Sequence, residues 1–581
     1  MKKIVLFFII LFAAQAAFSQ GFLKAKDKYV VNAQGEKVLL RGVGLGGWML
    51  QEGYMLRVQG IGQQQHVIKS KLAELIGKDK TEEFYAAWLA NHTRKIDIDS
   101  MKAWGFNSVR LPMHYNLYTL PVEQEPVAGE NTWLEKGFAM TDSLLSWCKA
   151  NQMYLILDLH AAPGGQGNDL NISDRDPSQP SLWQNEANQQ KMMALWKKLA
   201  GRYANEEWIG AYDIINEPNW GFEKAEDKNG CAEQQNEPLK KLMVAITAAI
   251  REVDKNHIII IEGNCWGNNY NGIFPPWDTN TVISFHKYWN YNDQQSVQKF
   301  VDIRERYAAP VWLGESGENS NVWFRDAIHL MERNEIGWAW WPLKKLGANN
   351  PLEVKVPAGY QKILNFWDGK GPKPKSDEAY KAVMELAGNL KLENCIYHND
   401  VIDAMFRQTR SDETKPFQHH VAKADYLINA TDYDLGRNRY AYHDRDTGNY
   451  YISTGKERTA GNQGHVYRND GVDISYDAKT DSYFVDHFET GEWMQYTVNA
   501  EKQGDYLMTL TVLSKDITGR LNLTVNGKVI KDDFVILNTA GRWQPVEMRS
   551  IPLVKGANLI RIKAQNGGFN LKSFKLIATG K

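Results

Sequence analysis

The sequence predicts an α/β chain: a (β/α)8 TIM barrel followed by an all-β antiparallel sandwich of jelly-roll type. Three observations predict it. Short β-branched or apolar runs recur eight times over roughly the first 340 residues, most of them preceded by an amphipathic helical stretch, and such alternation gives parallel βαβ units, eight of which close a barrel. Almost every one of those runs ends on a residue capable of chemistry. Beyond about Val421 the helical patterning stops, and short alternating stretches between turn residues take over. The 581 residues also exceed what one ordinary core holds.

In chain order, residues 1–20 read as an export signal. Lys2 and Lys3 form the basic start, residues 4–17 the apolar run, and Ala17-Phe18-Ser19 the small-residue exit. The run is short for a membrane-spanning helix, so a secreted protein, at the cell surface, outside the cell or in a periplasm, is expected, with no membrane insertion. A hairpin is predicted from residues 28–31 and 37–40 around Asn32-Ala33-Gln34-Gly35. Strands are predicted over 38–43, 107–112, 154–159, 211–215, 257–261, 281–285, 311–313 and 336–340. Helices are predicted over 96–104, 141–149, 191–203, 239–253 and 376–390. The barrel domain then covers 21–391. Residues 392–420 read as a linker, and 421–581 as the sandwich, with strands over 505–513, 521–525, 558–563 and 571–577 and an Asn526-Gly527 hairpin turn.

Composition narrows the partners. The net charge of −1 leaves no electrostatic footprint for nucleic acid or anionic lipid. Twelve per cent of residues are aromatic, with 20 Trp and 26 Tyr. Flat apolar rings stack on sugar faces, so a neutral polysaccharide or oligosaccharide fits, handled by a monomer. Cys148, Cys231, Cys265 and Cys395 form no CxxC pair, which argues against a zinc site. Most are expected to be free thiols. Arg41-Gly42-Val43-Gly44-Leu45-Gly46-Gly47-Trp48 is glycine-rich but lacks the Lys-Ser/Thr of a phosphate loop.

The predicted strand ends carry Arg110, His160, Asn216 with Glu217, Glu262, His286 with Tyr288, Glu315, and Trp340 with Trp341. Catalytic groups of such barrels sit on that face. Pro218 biases Glu217 towards extended backbone. Glu217 and Glu315, on the fourth and seventh strands, face each other across the mouth. Glycosidic cleavage needs such a carboxyl pair: about 5–5.5 Å apart for retention, about 6.5–9.5 Å for inversion. No G-x-S-x-G elbow points to a serine hydrolase. The competing reading is a barrel that holds glycans without cutting them. The insertion 221–238 is expected either to wall off one end of the cleft or to be a plain solvated loop.

The motifs Arg41 to Trp48, Val109-Arg110-Leu111-Pro112, Asp158-Leu159-His160, Asn216-Glu217-Pro218, His286-Lys287-Tyr288, Leu313-Gly314-Glu315-Ser316 and Trp338-Ala339-Trp340-Trp341 resemble, in this order, glycoside hydrolase family 5. The resemblance implies a retaining mechanism with Glu217 as acid/base and Glu315 as nucleophile, and no metal or organic cofactor. It implies that Arg110 supports Glu315, that Asn216 binds a sugar 2-hydroxyl, that His160, His286 and Tyr288 line the cleaving subsite, and that Trp341 is the stacking platform. Leu45-Gly46-Gly47-Trp48 and Asp158 to Gln166 resemble the exo-β-1,3-glucanase branch, which usually has Trp where Ser316 stands. β-Glucan is therefore the expected substrate, β-1,3 ahead of β-1,4, with mannan as the alternative. Residues 421–578 resemble carbohydrate-binding module family 6 through Val466 to Ile474, Glu489 to Tyr496, Thr539 to Gln544 and Gly567 to Leu571. That resemblance implies a sugar site at Trp543 and Asn570, with His487 at the second aromatic position. A structural calcium is implied at 429–433, where the acidic pattern is altered.

Overall fold

The computed structural model describes residues 21–224, 226–288, 290–445, 466–515 and 518–579; the export signal at 1–20 lies outside them. The eight strands of the barrel are β1 (Arg41–Gly44), β2 (Ser108–His114), β3 (Tyr154–Ala161), β4 (Ile209–Asp213), β5 (Ile258–Ile261), β6 (Thr281–Lys287), β7 (Val311–Gly317) and β8 (Gly337–Trp341). All neighbours pair in parallel, and β8 pairs with both β7 and β1, so the sheet closes.

The two-residue period of a strand explains the barrel's interior. Ile156, Ala211, Ile260 and Val282 pack with Leu23, Leu40 and Trp312 in an apolar lower layer. Two residues on along the same strands stand Asp158, Asp213, Glu262 and Ser284, all fully buried. The interior thus changes from oil to charge over one step of the pleat. Gly314 permits the close approach there, since a Cβ at that position would lie 2.2 Å from the Ser284 hydroxyl.

The predicted helices are present; Glu135–Ala150, Glu186–Tyr203 and Glu237–Val253 start earlier than expected, and Ser376–Asn389 ends one residue earlier. Gln65–Ile76 and Lys78–His92 form a helical insertion between β1 and β2 that the sequence reading missed. Their apolar faces pack on Ala358–Trp367 and Ser376–Asn389 in a separate cluster, so their periodicity serves a local core. The N-terminal hairpin is shifted. Lys24–Lys26 pairs with Tyr29–Val31 around Asp27, and Lys37 makes only an isolated bridge to Val31.

The expected linker at 392–420 is largely structured. Ile396–Tyr397 pairs with Leu352–Glu353, and helix Asn399–Phe406 buries Val401, Ile402 and Met405 in the barrel's core. The sandwich has two sheets. One runs His420–Ala422, Trp493–Ala500, Gly556–Asn566, Gly519–Val525 and Lys528–Ile536; the other runs Ile474–Asp477, Ser482–Phe488, Phe569–Ala578, Gly504–Ser514 and Gln544–Leu553. Pairing is antiparallel except for His420–Ala422, which runs parallel to Trp493–Ala500. Asn526 and Gly527 both have positive φ, 48° and 78°, as a type I′ hairpin turn requires. No helix among the described residues is long and apolar enough to cross a membrane.

Candidate active site

The charged layer is organised by Arg110, which β2 carries into the barrel with no exposed surface. Its Nε and Nη2 donate to Asp213 Oδ2 (3.0 and 2.8 Å), and Nη2 also reaches Asn216 Oδ1 (2.8 Å) and Glu262 Oε1 (3.3 Å). Nη1 donates to Glu315 Oε1 and lies 3.3 Å from Asp158 Oδ2. One guanidinium therefore faces four carboxyl groups. Burial pushes the pKa values of Asp158 and Asp213 well up despite Arg110.

Above it lie the two predicted glutamates. Glu315 accepts from Arg110 on one oxygen and from the Tyr288 hydroxyl on the other (3.0 Å). Glu217 Oε1 lies 2.5 Å from His286 Nδ1, and His286 Nε2 lies 3.1 Å from Glu262 Oε1. Burial works against charge on His286, but Glu262, Glu315 and Glu217 raise its pKa well above the usual value. His160 is the opposite case. Burial lowers its pKa to about 3, and the neutral ring fits its partners: Nδ1 donates to Asp158 (2.7 Å), and Nε2 accepts from Asn216 Nδ2 (3.2 Å). Trp341 lies parallel to His160 at 5.0 Å and donates its indole N–H to the Tyr54 hydroxyl (2.9 Å). Gly46 makes room for the indole, since a Cβ there would lie 2.6 Å from it.

Glu217 departs from the expected extended geometry. β4 ends at Asp213, and Glu217 has φ of 42°. Proline disfavours the right-handed helical region for its predecessor but does not set the sign of φ. Glu262 holds the turn by accepting the Glu217 N–H (2.7 Å), and Asn219 Nδ2 donates to the Glu217 carbonyl (2.9 Å). Such a backbone costs about 1–3 kcal/mol; here it places the carboxyl in the cleft.

Six predicted residues line a cleft of about 700 Å3: Glu217, Glu315, His160, His286, Tyr288 and Trp341. Arg110 and Asn216 do not line it; both are fully buried, and they reach the cleft-lining Glu315 and His160 by hydrogen bonds. Trp341 is only 3% exposed. Tyr54, Trp266 and Glu318 also line the cleft, and the sequence reading did not single them out. Trp266 is placed by a disulfide, Cys231–Cys265, which corrects the expectation that most cysteines are free; Cys148 and Cys395 are free. The bond ties the insertion 221–238 to the loop after β5. The insertion does not line the cleft, and its Glu233 is buried under the N–H groups of Phe222 and Glu223. It therefore supports the Trp266 loop and does not wall off the cleft.

Two groups of carboxyl and imidazole atoms come within 4.8 Å of one another: Asp158, His160 and Glu315, and Glu217, His286 and Glu315. Neither suits a metal. The Arg110 guanidinium already faces the first, and in the second both nitrogens of His286 are already taken by Glu217 and Glu262. The arrangement is that of an acid and an opposed carboxylate. Burial, with help from Glu315 and Glu262 and against the pull of His286, raises the Glu217 pKa to about 7. A general acid must hold its proton, so kcat/KM is expected to fall as pH rises through about 7. A profile flat from pH 6 to 9 on a substrate with a poor leaving group would contradict this assignment.

In the sandwich, Trp543 is half-buried. Its indole N–H donates to Asp477 (3.0 Å), Phe484 meets its ring edge-on, and the Lys572 ammonium sits 4.3 Å over the ring. Asn570 is half-buried and in register with Leu513 on strand Gly504–Ser514, which separates it from the strand that follows Trp543. His487 is exposed, and no ring contact or hydrogen bond joins it to Trp543 among the described residues. At 429–433, Asp432 accepts from Asn429 (3.0 Å) and Tyr467 (2.5 Å). Its oxygens already serve protein donors, so the residues there do not fit a calcium ion.

Comparison with known proteins agrees with the geometry. Residues 70–347 match the model of the cellulases, glycosyl hydrolase family 5, and residues 463–578 match that of carbohydrate binding module family 6. A β-xylosidase of Phanerodontia chrysosporium is 25% identical over 59% of this chain and 75% of its own length. Endoglucanase C of Acetivibrio thermocellus is 26% identical over 46% and 89%. A probable glucan 1,3-beta-glucosidase A of Aspergillus niger is 31% identical over 31% and 41%. The barrel is a catalytic domain of glycosyl hydrolase family 5, and the sandwich that follows it is a carbohydrate binding module of family 6.

Proposed function

We propose that the chain is an exported, monomeric, metal-independent retaining glycosidase acting on β-glucan, on β-1,3 linkages ahead of β-1,4. The observation that carries the mechanism is a separation: an oxygen of Glu217 and an oxygen of Glu315 lie within 4.8 Å of each other. A closest approach that short suits retention, in which the two carboxyl groups stand about 5–5.5 Å apart, better than inversion, in which about 6.5–9.5 Å leaves room for a water. Glu315 attacks the anomeric carbon while the bond to the departing oxygen breaks, and Glu217 gives that oxygen its proton. Once Glu315 is esterified its charge is gone, one of the influences raising the Glu217 pKa disappears, and Glu217 becomes the base that takes a proton from water. Water then attacks the same carbon from the face the leaving group vacated, the bond from that carbon to Glu315 breaks, and Glu315 is released as its carboxylate while Glu217 regains its proton. Arg110 and Tyr288 hold the two oxygens of Glu315, and His286 holds Glu217.

The linkage reading is supported by Leu45 to Trp48 and by the stretch Asp158 to Gln166, and by relatives named glucan 1,3-beta-glucosidase. The experiment is a product profile on laminarin, cellulose-type, mixed-linkage and mannan substrates and an aryl β-xyloside, with the first-formed anomer read by NMR. Laminarin is expected to be turned over best, with the β-anomer appearing first. An α-anomer appearing first would remove the mechanism, and preference for mannan or the xyloside would remove the substrate assignment.

A further inference from the structure

The cleft does not stop at the barrel's rim. Tyr54 and Glu318, which line it, also line a second groove of about 810 Å3 between the barrel and the sandwich. Arg57 and Lys345 stand on its barrel side, and Phe417, Tyr467 and Tyr483 on the other. Those three rings form a chain, with centroids 6.0 Å apart from Phe417 to Tyr467 and 5.0 Å from Tyr467 to Tyr483. Tyr483 keeps 37% of its surface exposed. The charged residues are of both signs, and Lys345 pairs with Glu318. Exposed aromatic faces beside donors and acceptors of mixed sign suit a neutral, hydroxyl-rich chain better than an ion.

The two walls are fixed relative to each other. Asn321 N donates to the Asn469 carbonyl (2.8 Å), while Asp400 Oδ2 accepts from Asn321 Nδ2 (2.7 Å) and Asn469 N (2.8 Å), all buried. Asn469 Nδ2 donates to the Asn319 carbonyl (2.9 Å). The preceding residue, Arg468, is buried with its guanidinium 3.7 Å from the centre of the Tyr433 ring and 4.6 Å from that of Phe417. This knot sits on residues 319–321, directly after the strand that carries Glu315. The sandwich is thus fastened to the loop that also bears Glu318.

We propose that the sandwich acts as part of the active site: a glycan cleaved at Glu217 and Glu315 runs on past Tyr54 and Glu318, and its distal sugar units lie in this groove against Tyr483 and Arg57. This rests on the glycan-cleaving reading above. Binding energy from units remote from the reacting bond then favours long chains.

The test is kcat/KM of the full chain on an aryl glycoside and on oligosaccharides of increasing length. In the wild type it is expected to rise with length beyond the units the barrel cleft holds. In Tyr483→Ala, and separately in Arg57→Ala, the ratio of the longest to the shortest substrate is expected to fall about tenfold, mainly through KM, the signature of lost remote binding. Circular dichroism and the thermal midpoint check each variant's fold. An unchanged ratio in both folded variants, with the wild type active, overturns this proposal alone. A wild type that cleaves no glycoside overturns the parent reading and this one with it.

Discussion

Glu315→Ala is expected to lower turnover of an activated aryl glycoside by on the order of 10^4-fold or more, because removing a nucleophile that acts as part of a unit forfeits nearly all of that unit's contribution. Glu217→Ala should lose less on the same substrate and far more on a glycan. A good leaving group departs without a proton, whereas a sugar hydroxyl needs one, and general acid catalysis is worth about 10^2–10^4-fold. Azide separates the two roles by stereochemistry. In Glu217→Ala it attacks the glycosyl-enzyme, where no base is needed, and should restore turnover as the β-glycosyl azide. In Glu315→Ala it enters the space left by the side chain and attacks the intact substrate, giving the α-glycosyl azide. If the products are exchanged, so are the roles; if either variant keeps near wild-type turnover on glycan, the residue is not catalytic. Both variants should fold: Glu217→Ala removes an acid whose pKa burial raises, and in Glu315→Ala the Arg110 guanidinium keeps Asp158, Asp213 and Glu262 as partners.

How far the site was legible depended on whether the information was local. The eight strands and the residues at their ends follow from period and punctuation, and Glu217, Glu315, His160, His286, Tyr288 and Trp341 meet in one cleft as that pattern implies. Glu217's positive φ could not be read, because Glu262 imposes it from 45 residues away. The role of Asp158 and Asp213 was missed for the same reason. Each looks like one polar residue within an apolar strand, yet both stand one pleat step above an apolar layer and face the same guanidinium. A charge at an inward barrel position demands a partner, and that was the available signal. The Cys231–Cys265 pairing and the helix Asn399–Phe406 also needed the fold. One joins two loops 34 residues apart; the other is eight residues whose apolar face makes sense only against the barrel.

The same charged layer makes Arg110 the residue whose loss should damage the fold most. Arg110→Met has nearly the same reach and fits the apolar layer below, so packing alone would forgive it. Electrostatics would not. Asp158, Asp213, Glu262 and Glu315 all face this guanidinium, and the nearest remaining cation, His286, is committed to Glu217 and Glu262. Removing one partner of a buried ion cluster typically costs about 3–5 kcal/mol, because the other partners stay buried without compensation. The chain can limit that cost by taking up protons, which fixes the pH dependence. Arg110 lowers the pKa values of Asp158, Asp213 and Glu262 in the folded protein, so the variant's folded state holds its protons to higher pH than the wild type does. A folded state that binds more protons than the unfolded one loses stability as pH rises above the unfolded carboxyl values, near 4. Arg110→Met should therefore lie closest to the wild-type thermal midpoint near pH 5 and fall progressively further below it towards pH 8. Arg110→Lys, which keeps one charge but cannot spread over four acceptors, should fall between. Both should lose activity even where folded, since Glu315 loses the donor that fixes its Oε1. A midpoint difference from wild type that is the same at pH 5 and pH 8 would show that Arg110 contributes by packing and not by holding the four acids together.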